Sequence, residues 1–205
     1  QSIFLDMFGD PVTNPKGWKV NDLQSLIDPE RPITYGILKP GPDMEGGVPY
    51  VRVVDIQRER VLVDQLRRTT EEIADRYKRS KLDEGDLLMS IRGHVGRMAL
   101  APAEACGANI TQDTARLALV GATAPYVMRC LATQGMKQYM ARRTKGVAVK
   151  GINLGDVKRL PIPCPPMELQ EEYVAIVDSI DSQRRMADAH SGALDTLFAA
   201  LQSRA

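Results

Sequence analysis

Two arginines and a histidine lie within the six residues RGHVGR, where Arg92, His94 and Arg97 are spaced by Gly93 and Gly96. A glycine-containing turn allows backbone amides and guanidinium groups to approach a phosphate, or the edge of a guanine, closely. The same residues also suit a solvated hairpin turn between two strands. The stretch therefore predicts an anion-binding or nucleic-acid-binding turn, and the solvated turn stays open as the alternative.

A second basic stretch, RRTKGVAVKG, contains Arg142, Arg143, Lys145 and Lys150. The first two follow a predicted helix that ends near Ala141, and cations routinely stabilise the C-terminus of a helix. Lys145 and Lys150 lie beyond that helix, so we expect these two lysines to bind nucleic acid.

Aromatic and basic side chains in TYGILK and YVRVVD form a third group. We expect Tyr35, Lys39 and Arg52 to project from strand ends or loops toward nucleic acid. Two alternatives stay open, because Tyr35 also suits a packed aromatic residue and Arg52 also suits an exposed sheet face.

The segment NITQDT adds Asn109, Thr111 and Gln112. Side chains of these types read adenine or fix the register of a protein on phosphates, and they are equally common in loops between strands. The nucleic-acid-binding residues predicted from the sequence are Tyr35, Lys39, Arg52, Arg92, His94, Arg97, Gln112, Lys145 and Lys150.

Catalytic and metal-binding motifs are missing from the sequence. It contains neither a G-x-x-x-x-G-K-[ST] phosphate loop, nor a Gly-x-Ser-x-Gly elbow, nor the Asn-Pro-Pro-aromatic tetrad of amino-methyltransferases. His94 and His190 are far apart, and neither has a neighbour at metal-ligand spacing. We therefore predict a binding protein without catalytic residues, metal or cofactor.

Charge is segregated along the chain, although the net charge is only +1. Residues 31–161 carry 22 basic and 14 acidic side chains, whereas both flanking segments are acidic. A basic middle segment suits a polyanion, whose released counterions drive association; a surface that is simply basic is the alternative.

Neither a membrane nor a disulfide framework is indicated. No apolar run approaches the ~20 residues that a membrane helix needs, so we expect no membrane partner. The three scattered cysteines indicate reduced thiols in a cytoplasmic protein.

The pattern of apolar residues predicts an α+β domain over residues 12–163, with a mixed or mostly antiparallel sheet. The segments 48–56, 85–91, 97–101 and 114–120 resemble strands, and one helix is predicted over 123–141. A shorter helix is expected from a Thr69-x-x-Glu72 capping box. Residues 1–11 have the pattern of a helix end, so we expect the chain to be part of a longer protein.

Residues 164–205 predict one long helix that opens at Pro165 and Pro166. Apolar positions alternate by four and three residues from Leu169 onward, and ~38 residues would span ~57 Å. The domain beside such a helix is too small to cover it, so the seam predicts a coiled coil. A surface helix packed on its own domain is the alternative.

Five segments resemble, in the same order, the specificity subunit of type I restriction–modification systems. The resemblance covers nearly the whole chain and is carried by FLDMFGDPVTNPKGW, PYVRVVDI, GDLLMSIRGHVGRMAL, NITQDTARL and KGVAVKGINLGDVKRLPIPCPPMELQEEYVAIVDSID. The family usually has Glu-Gln where this chain has Gln170-Glu171, a small departure.

The resemblance implies a non-catalytic subunit that reads one half of a split DNA target. It implies the end of a spacer helix at 1–11, a target recognition domain at 12–163 and a long helix at 164–205 that sets the half-site spacing. Its implied partners are double-stranded DNA, methyltransferase (modification) subunits, an ATP-dependent restriction subunit and a second recognition half. Three alternatives stay open: a self-dimerising half-subunit, the recognition part of a fused restriction–methyltransferase enzyme, and a pure scaffold protein.

Overall fold

A computed structural model of the chain describes residues 2–146 and 150–202; side chains are described as far as residue 187, except at 184 and 185. The described α-helices are α1 (Ser2–Phe8), α2 (Glu71–Arg76), α3 (Ala124–Leu131), α4 (Gln134–Ala141), α5 (Leu154–Lys158) and α6 (Met167–Gln202). The described strands are β1 (Val20–Asp22), β2 (Thr34–Tyr35), β3 (Val48–Val51), β4 (Ile56–Gln57), β5 (Arg60–Val61), β6 (Arg67–Thr69), β7 (Leu87–Ser90), β8 (Met98–Leu100), β9 (Asn109–Ile110), β10 (Thr114–Leu117) and β11 (Pro161–Pro163).

These strands form several small sheets, which confirms the α+β class with mostly antiparallel pairing. The largest sheet has the order β2-β10-β7-β8 and is antiparallel throughout. A three-stranded sheet of order β6-β3-β9 contains a parallel pair, β3 with β9. Two further antiparallel pairs are β1 with β11 and β4 with β5.

Strand β7 lies at the centre of the molecule and is buried on both faces. Leu87 and Met89 pack into a core beneath the helices, whereas Leu88 packs into a second core with the three-stranded sheet and the β4–β5 hairpin. Because successive strand residues point to opposite faces, one short strand contributes to both cores. Burial on both faces also explains its uninterrupted apolar sequence.

The predicted helix over 123–141 is wrong, since two helices occupy that segment. The break falls at Thr133, whose hydroxyl donates to the Cys130 carbonyl (2.9 Å) and accepts from the Met136 amide (3.4 Å). The Thr133 hydroxyl thus bonds a carbonyl at the end of α3 and an amide at the start of α4, where the regular backbone pairing within each helix is interrupted, so one helix stops and the next begins there.

The predicted capping box at Thr69 is also wrong, by one residue. Thr70 caps α2 by accepting from the Ile73 amide. Thr69 belongs to β6, is buried, and donates its hydroxyl to the Pro40 carbonyl at 2.6 Å.

Helix α1 ends as predicted at Phe8. Gly9 adopts a left-handed φ of 78° and donates its amide to the Leu5 carbonyl, which closes the last turn. Trp18 then donates its ring N–H to the Phe8 carbonyl at 3.1 Å. The indole thus ties the end of α1 to the domain that follows.

Four aromatic rings join α1, α3 and the first turns of α6. Tyr173 of α6 lies with its ring centroid 5.7 Å from Phe4 and 5.5 Å from Phe8, while Tyr126 of α3 lies 5.6 Å and 4.9 Å from the same two rings. The Tyr126 hydroxyl donates to the Pro163 carbonyl at 2.7 Å, so this buried polar group is satisfied. The start of α6 is therefore held on the domain by the aromatic cluster of Phe4, Phe8, Tyr126 and Tyr173.

The buried amide of Gln170 provides a second attachment. It accepts from the Thr123 amide at the start of α3 and donates to the Pro165 carbonyl (both 3.0 Å). The contacts of α6 with the domain core extend through Val177, whereas the helix itself continues to Gln202.

Tyr173→Ala is expected to lower the free energy of unfolding by about 3–5 kcal/mol, because it empties the centre of the aromatic cluster. The exposed neighbour Glu172→Ala is the matched control and should change stability by less than ~0.5 kcal/mol. Urea unfolding followed by circular dichroism measures both; equal effects would mean that the cluster does not anchor the helix.

Candidate nucleic-acid interface

The largest sheet brings several predicted residues to one of its ends. Strands β7 and β10 are antiparallel, with Thr114 opposite Ser90, so the end of β7 meets the start of β10. Tyr35, at the end of β2, pairs with Ala115. The turn after β7, the loop before β10 and the end of β2 are consequently neighbours.

The RGHVGR turn connects β7 with β8 and confirms the predicted hairpin. Gly93 and Gly96 have φ of 70° and 87°, a left-handed conformation that glycine adopts without strain. Ser90 organises the turn, because its hydroxyl donates to the His94 carbonyl and accepts from the Arg97 amide. His94 and Arg92 are exposed, and Arg97 is half-buried.

The second basic stretch lies directly beside this turn. Lys145 and Gly151 exchange two backbone hydrogen bonds of 2.8 Å each. The Gly93 amide donates to the Lys150 carbonyl, and the Ile152 amide donates to the Ile91 carbonyl, each at 2.9 Å. Two basic segments about 50 residues apart in the sequence thus become one surface.

Four of the predicted residues line a single open cleft of ≈730 Å³, which we call the polar cleft: Tyr35, Arg92, Gln112 and Lys145. Tyr35 is 46% exposed, and the Arg92 guanidinium donates to the Gln112 side-chain oxygen at 3.4 Å. Asp113 and Asn153 complete its polar lining. An aromatic ring, a guanidinium, an amide and an ammonium group therefore face one space.

The opposite side of the RGHVGR turn is also basic. Arg97 lines a cleft of ≈540 Å³ together with Arg58 and Lys137. A separate cleft of ≈300 Å³ is lined by Lys150 and, again, by Lys137. The turn is therefore flanked by cations on both sides.

Arg58 and Lys137 were missed at the sequence level. Arg58 lies at the tip of the β4–β5 hairpin, where it and Glu59 have φ of 49° and 62°. QRER lacks the glycine or asparagine that typically marks such a turn, so no sequence signal was present. Lys137 follows helical periodicity as an exposed residue of α4, but only the folded chain places it beside Arg97.

Arg52 and Lys39 do not join the polar cleft. Both side-chain oxygens of Asp55 accept from the Arg52 guanidinium, at 2.7 and 2.9 Å. This hydrogen bonding raises the pKa of Arg52 and gives the side chain a structural role. Lys39 is exposed in the loop after β2.

Two further candidates also have structural roles. Asn109 is fully buried and donates to the Tyr77 carbonyl and the Ser80 hydroxyl, both at 3.1 Å, so its sequence interpretation as a base-reading side chain is wrong. Arg143 donates to the Tyr139 carbonyl in the last turn of α4 at 3.2 Å, as expected for a cation that stabilises the end of a helix, and it also stacks on the Tyr139 ring at 3.5 Å.

Neither a metal site nor a membrane span is found in the described part of the chain. Among those residues, no group of three or more histidine, cysteine, aspartate or glutamate side chains is placed to hold a metal ion. None of the helices there is both long and apolar enough to cross a membrane.

Comparison with known proteins identifies a family. The model of the "Type I restriction modification DNA specificity domain" matches residues 15–186. The type I restriction enzyme EcoBI specificity subunit of Escherichia coli is 33% identical over 178 residues, which cover 82% of this chain and 37% of that subunit. The chain thus spans well under half the length of this relative.

Two solved structures share the fold. The HsdS subunit from Thermoanaerobacter tengcongensis superposes with a TM-score of 0.61 over 89% of this chain and 42% of that one, at 21% identity. The S subunit of a type I restriction–modification system from M. genitalium gives a TM-score of 0.51 over 81% and 38%, at 16% identity.

Two single variants, at Lys150 and at Arg92, are expected to distinguish a phosphate contact from a base contact. Lys150→Ala should weaken binding to all duplexes alike and reduce the salt slope by about 1, because one phosphate contact is lost. Arg92→Ala should instead relax preference at one base pair, worth roughly 1–3 kcal/mol.

Fluorescence anisotropy with cognate and scrambled duplexes over a salt series measures both effects. Arg67→Ala, which removes an exposed cation from strand β6, is the matched control and should leave binding unchanged. Wild-type binding by both site variants would exclude the turn and its neighbouring loop from the interface.

Proposed function

The chain belongs to the type I restriction modification DNA specificity family, and we propose that it recognises one half of a two-part double-stranded DNA target. The observation that carries this proposal is the polar cleft, which gathers Tyr35, Arg92, Gln112 and Lys145 beside a turn flanked by cations. Family membership supplies the class of ligand, and the cleft supplies the chemistry for reading it.

The shape of the RGHVGR hairpin suits the major groove. A major groove is about 12 Å wide. The turn that joins β7 and β8 would enter it, while the two strands stay within the domain. Cations on both sides of the tip, among them Lys145 and Arg97, would then meet the phosphates that border the groove. These contacts fix register and supply the salt-dependent part of the affinity.

Arg92 and Gln112 are the proposed base-reading pair. A guanidinium donates two hydrogen bonds to the major-groove edge of guanine, and a glutamine amide pairs with adenine in the same way. Their mutual hydrogen bond restrains both side chains before DNA binds, which lowers the entropy lost on association. Tyr35 adds an exposed ring that can pack against a thymine methyl group or the sugar backbone. His94, exposed at the tip of the turn, is proposed to meet the duplex beside Arg92.

The long helix is proposed to act as a spacer. Helix α6 has 36 residues, which correspond to ~54 Å at 1.5 Å per residue. The aromatic cluster fixes its first turns on the domain, and the apolar seam beyond them would pair with a second helix as a coiled coil. The spacer would set the separation of two half-sites and dock methyltransferase subunits.

Chemistry is assigned to partner subunits. We propose that this chain is non-catalytic, that modification subunits methylate the bound DNA and that an ATP-dependent restriction subunit cleaves it. We also propose a cytoplasmic location, where the DNA target of such a system lies.

Random-site selection with the complete subunit and its methyltransferase partner tests half-site recognition. The wild type should select a split target, and Arg92→Ala with Gln112→Ala should alter bases in one half only, leaving the other half and the spacing unchanged. Lys150→Ala, as control, should reduce recovery without changing the selected sequence. Selection of a continuous target, or changes in both halves, would contradict the proposal.

A further inference from the structure

A second cationic cleft lies at the other end of the largest sheet. It measures ≈480 Å³ and its basic lining residues are Arg31, Lys78, Arg79, Lys81 and Arg116; we call it the Arg116 cleft. Arg116 lies opposite Leu88 of β7, two residues and thus ~7 Å along the strand from Ser90, after which the RGHVGR turn follows. The residues that line the Arg116 cleft differ from those that line the polar cleft, so the two clefts are distinct.

Arg116 is a buried cation without a carboxylate of its own. It is 2% exposed, and its guanidinium donates a hydrogen bond to the Pro32 carbonyl at 3.1 Å. Its Nε has no hydrogen-bond partner, and no carboxylate in the described part of the chain lies within ion-pair distance of it. Burial, reinforced by the positive charge of Arg31, lowers the pKa of Arg116.

Two carboxylates close enough to act on Arg116, those of Asp83 and Asp86, are ion-paired with Arg31. This residue binds Asp83 at 2.9 Å and Asp86 at 2.7 Å. Asp86 also accepts the backbone amide of Asp83 at 2.9 Å. Since an unpaired buried charge is costly, the arrangement around Arg116 favours an anion from outside the chain.

The rim of the cleft adds exposed positive charge. Lys78 and Arg79 are exposed on the short 3-10 segment Lys78–Ser80, and neither takes part in an ion pair among the described residues. Of the five cations that line the cleft, Arg31 is paired with Asp83 and Asp86, and Lys81 is paired with Asp75 at 3.1 Å. The positive charge that an anionic ligand would neutralise is therefore that of Arg116, Lys78 and Arg79.

We propose that the Arg116 cleft binds a phosphate group. A guanidinium fork matches phosphate oxygens. Arg116 lines the cleft, and the exposed Lys78 and Arg79 supply further positive charge at its rim. The cleft volume lies within the ~300–1,000 Å³ typical of small-ligand sites, so a phosphate or phosphate monoester can enter. The site is independent of the proposed base reading at the other end of the sheet.

Thermal unfolding of the chain without DNA tests the site. Inorganic phosphate at about a hundredfold excess over its Kd should raise the Tm by roughly 5 °C, relative to sodium chloride of equal ionic strength. Arg116→Gln should abolish this shift. Because that variant removes a buried residue, the exposed double variant Lys78→Gln/Arg79→Gln is the second test and should weaken phosphate binding about tenfold in calorimetry.

Arg67→Gln removes an exposed cation elsewhere and should retain the full phosphate shift. Equal Tm values in phosphate and in chloride, or an unaltered shift in Lys78→Gln/Arg79→Gln, would overturn the proposal. Neither outcome depends on DNA, so failure here leaves the half-site proposal untouched.

A duplex-binding measurement identifies the source of the phosphate. If the site takes the DNA backbone, Lys78→Gln/Arg79→Gln should weaken binding to a duplex extended beyond the half-site, and phosphate should compete with that duplex. If it takes a free phosphate or monoester, duplex affinity should be unchanged while the phosphate-dependent Tm shift persists. Each result supports a phosphate site and assigns its ligand.

Discussion

The antiparallel pairing of β7 with β10 brings the RGHVGR turn and the loop before β10 to the same end of the sheet. In this register Thr114 lies opposite Ser90, and the loop is the one that carries Gln112. Side chains alternate along a strand, so a slip of one residue would turn each β7 side chain to the opposite face of the sheet. Leu87 and Met89 would then enter the core that now holds Leu88, and Leu88 would enter theirs. Burial on both faces therefore fixes the register, and the register fixes the interface.

A rigid centre with polar loops at one end suits sequence reading. The turn is closed by hydrogen bonds of Ser90, and the basic stretch around Lys145 is attached to it through backbone bonds. The aromatic cluster attaches α6 to the domain, since Tyr173 packs against both Phe4 and Phe8. The domain and α6 are thus joined by packed side chains, which hold orientation better than a flexible linker would.

Local sequence patterns predicted much of the secondary structure. They could not predict which residues distant in the sequence come into contact. The strands at 85–91 and 114–120, the hairpin turn and the start of the long helix follow from apolar pattern, glycine and proline. Arg52 and Asn109 illustrate the limit, because the sequence shows their polarity but conceals the carboxylate and the carbonyls that engage them. The same holds for Arg58, which shares a cleft with Arg97 because of a hairpin that has no glycine signal.

Hydrogen–deuterium exchange of the chain with and without its target duplex tests the central claim most directly. The account predicts that DNA slows exchange of backbone amides in 91–97, 111–113 and 150–153, and leaves the amides of 71–80 unchanged unless the Arg116 cleft also holds the backbone. Unaltered exchange in the first three segments, with protection appearing elsewhere on the domain, would contradict it.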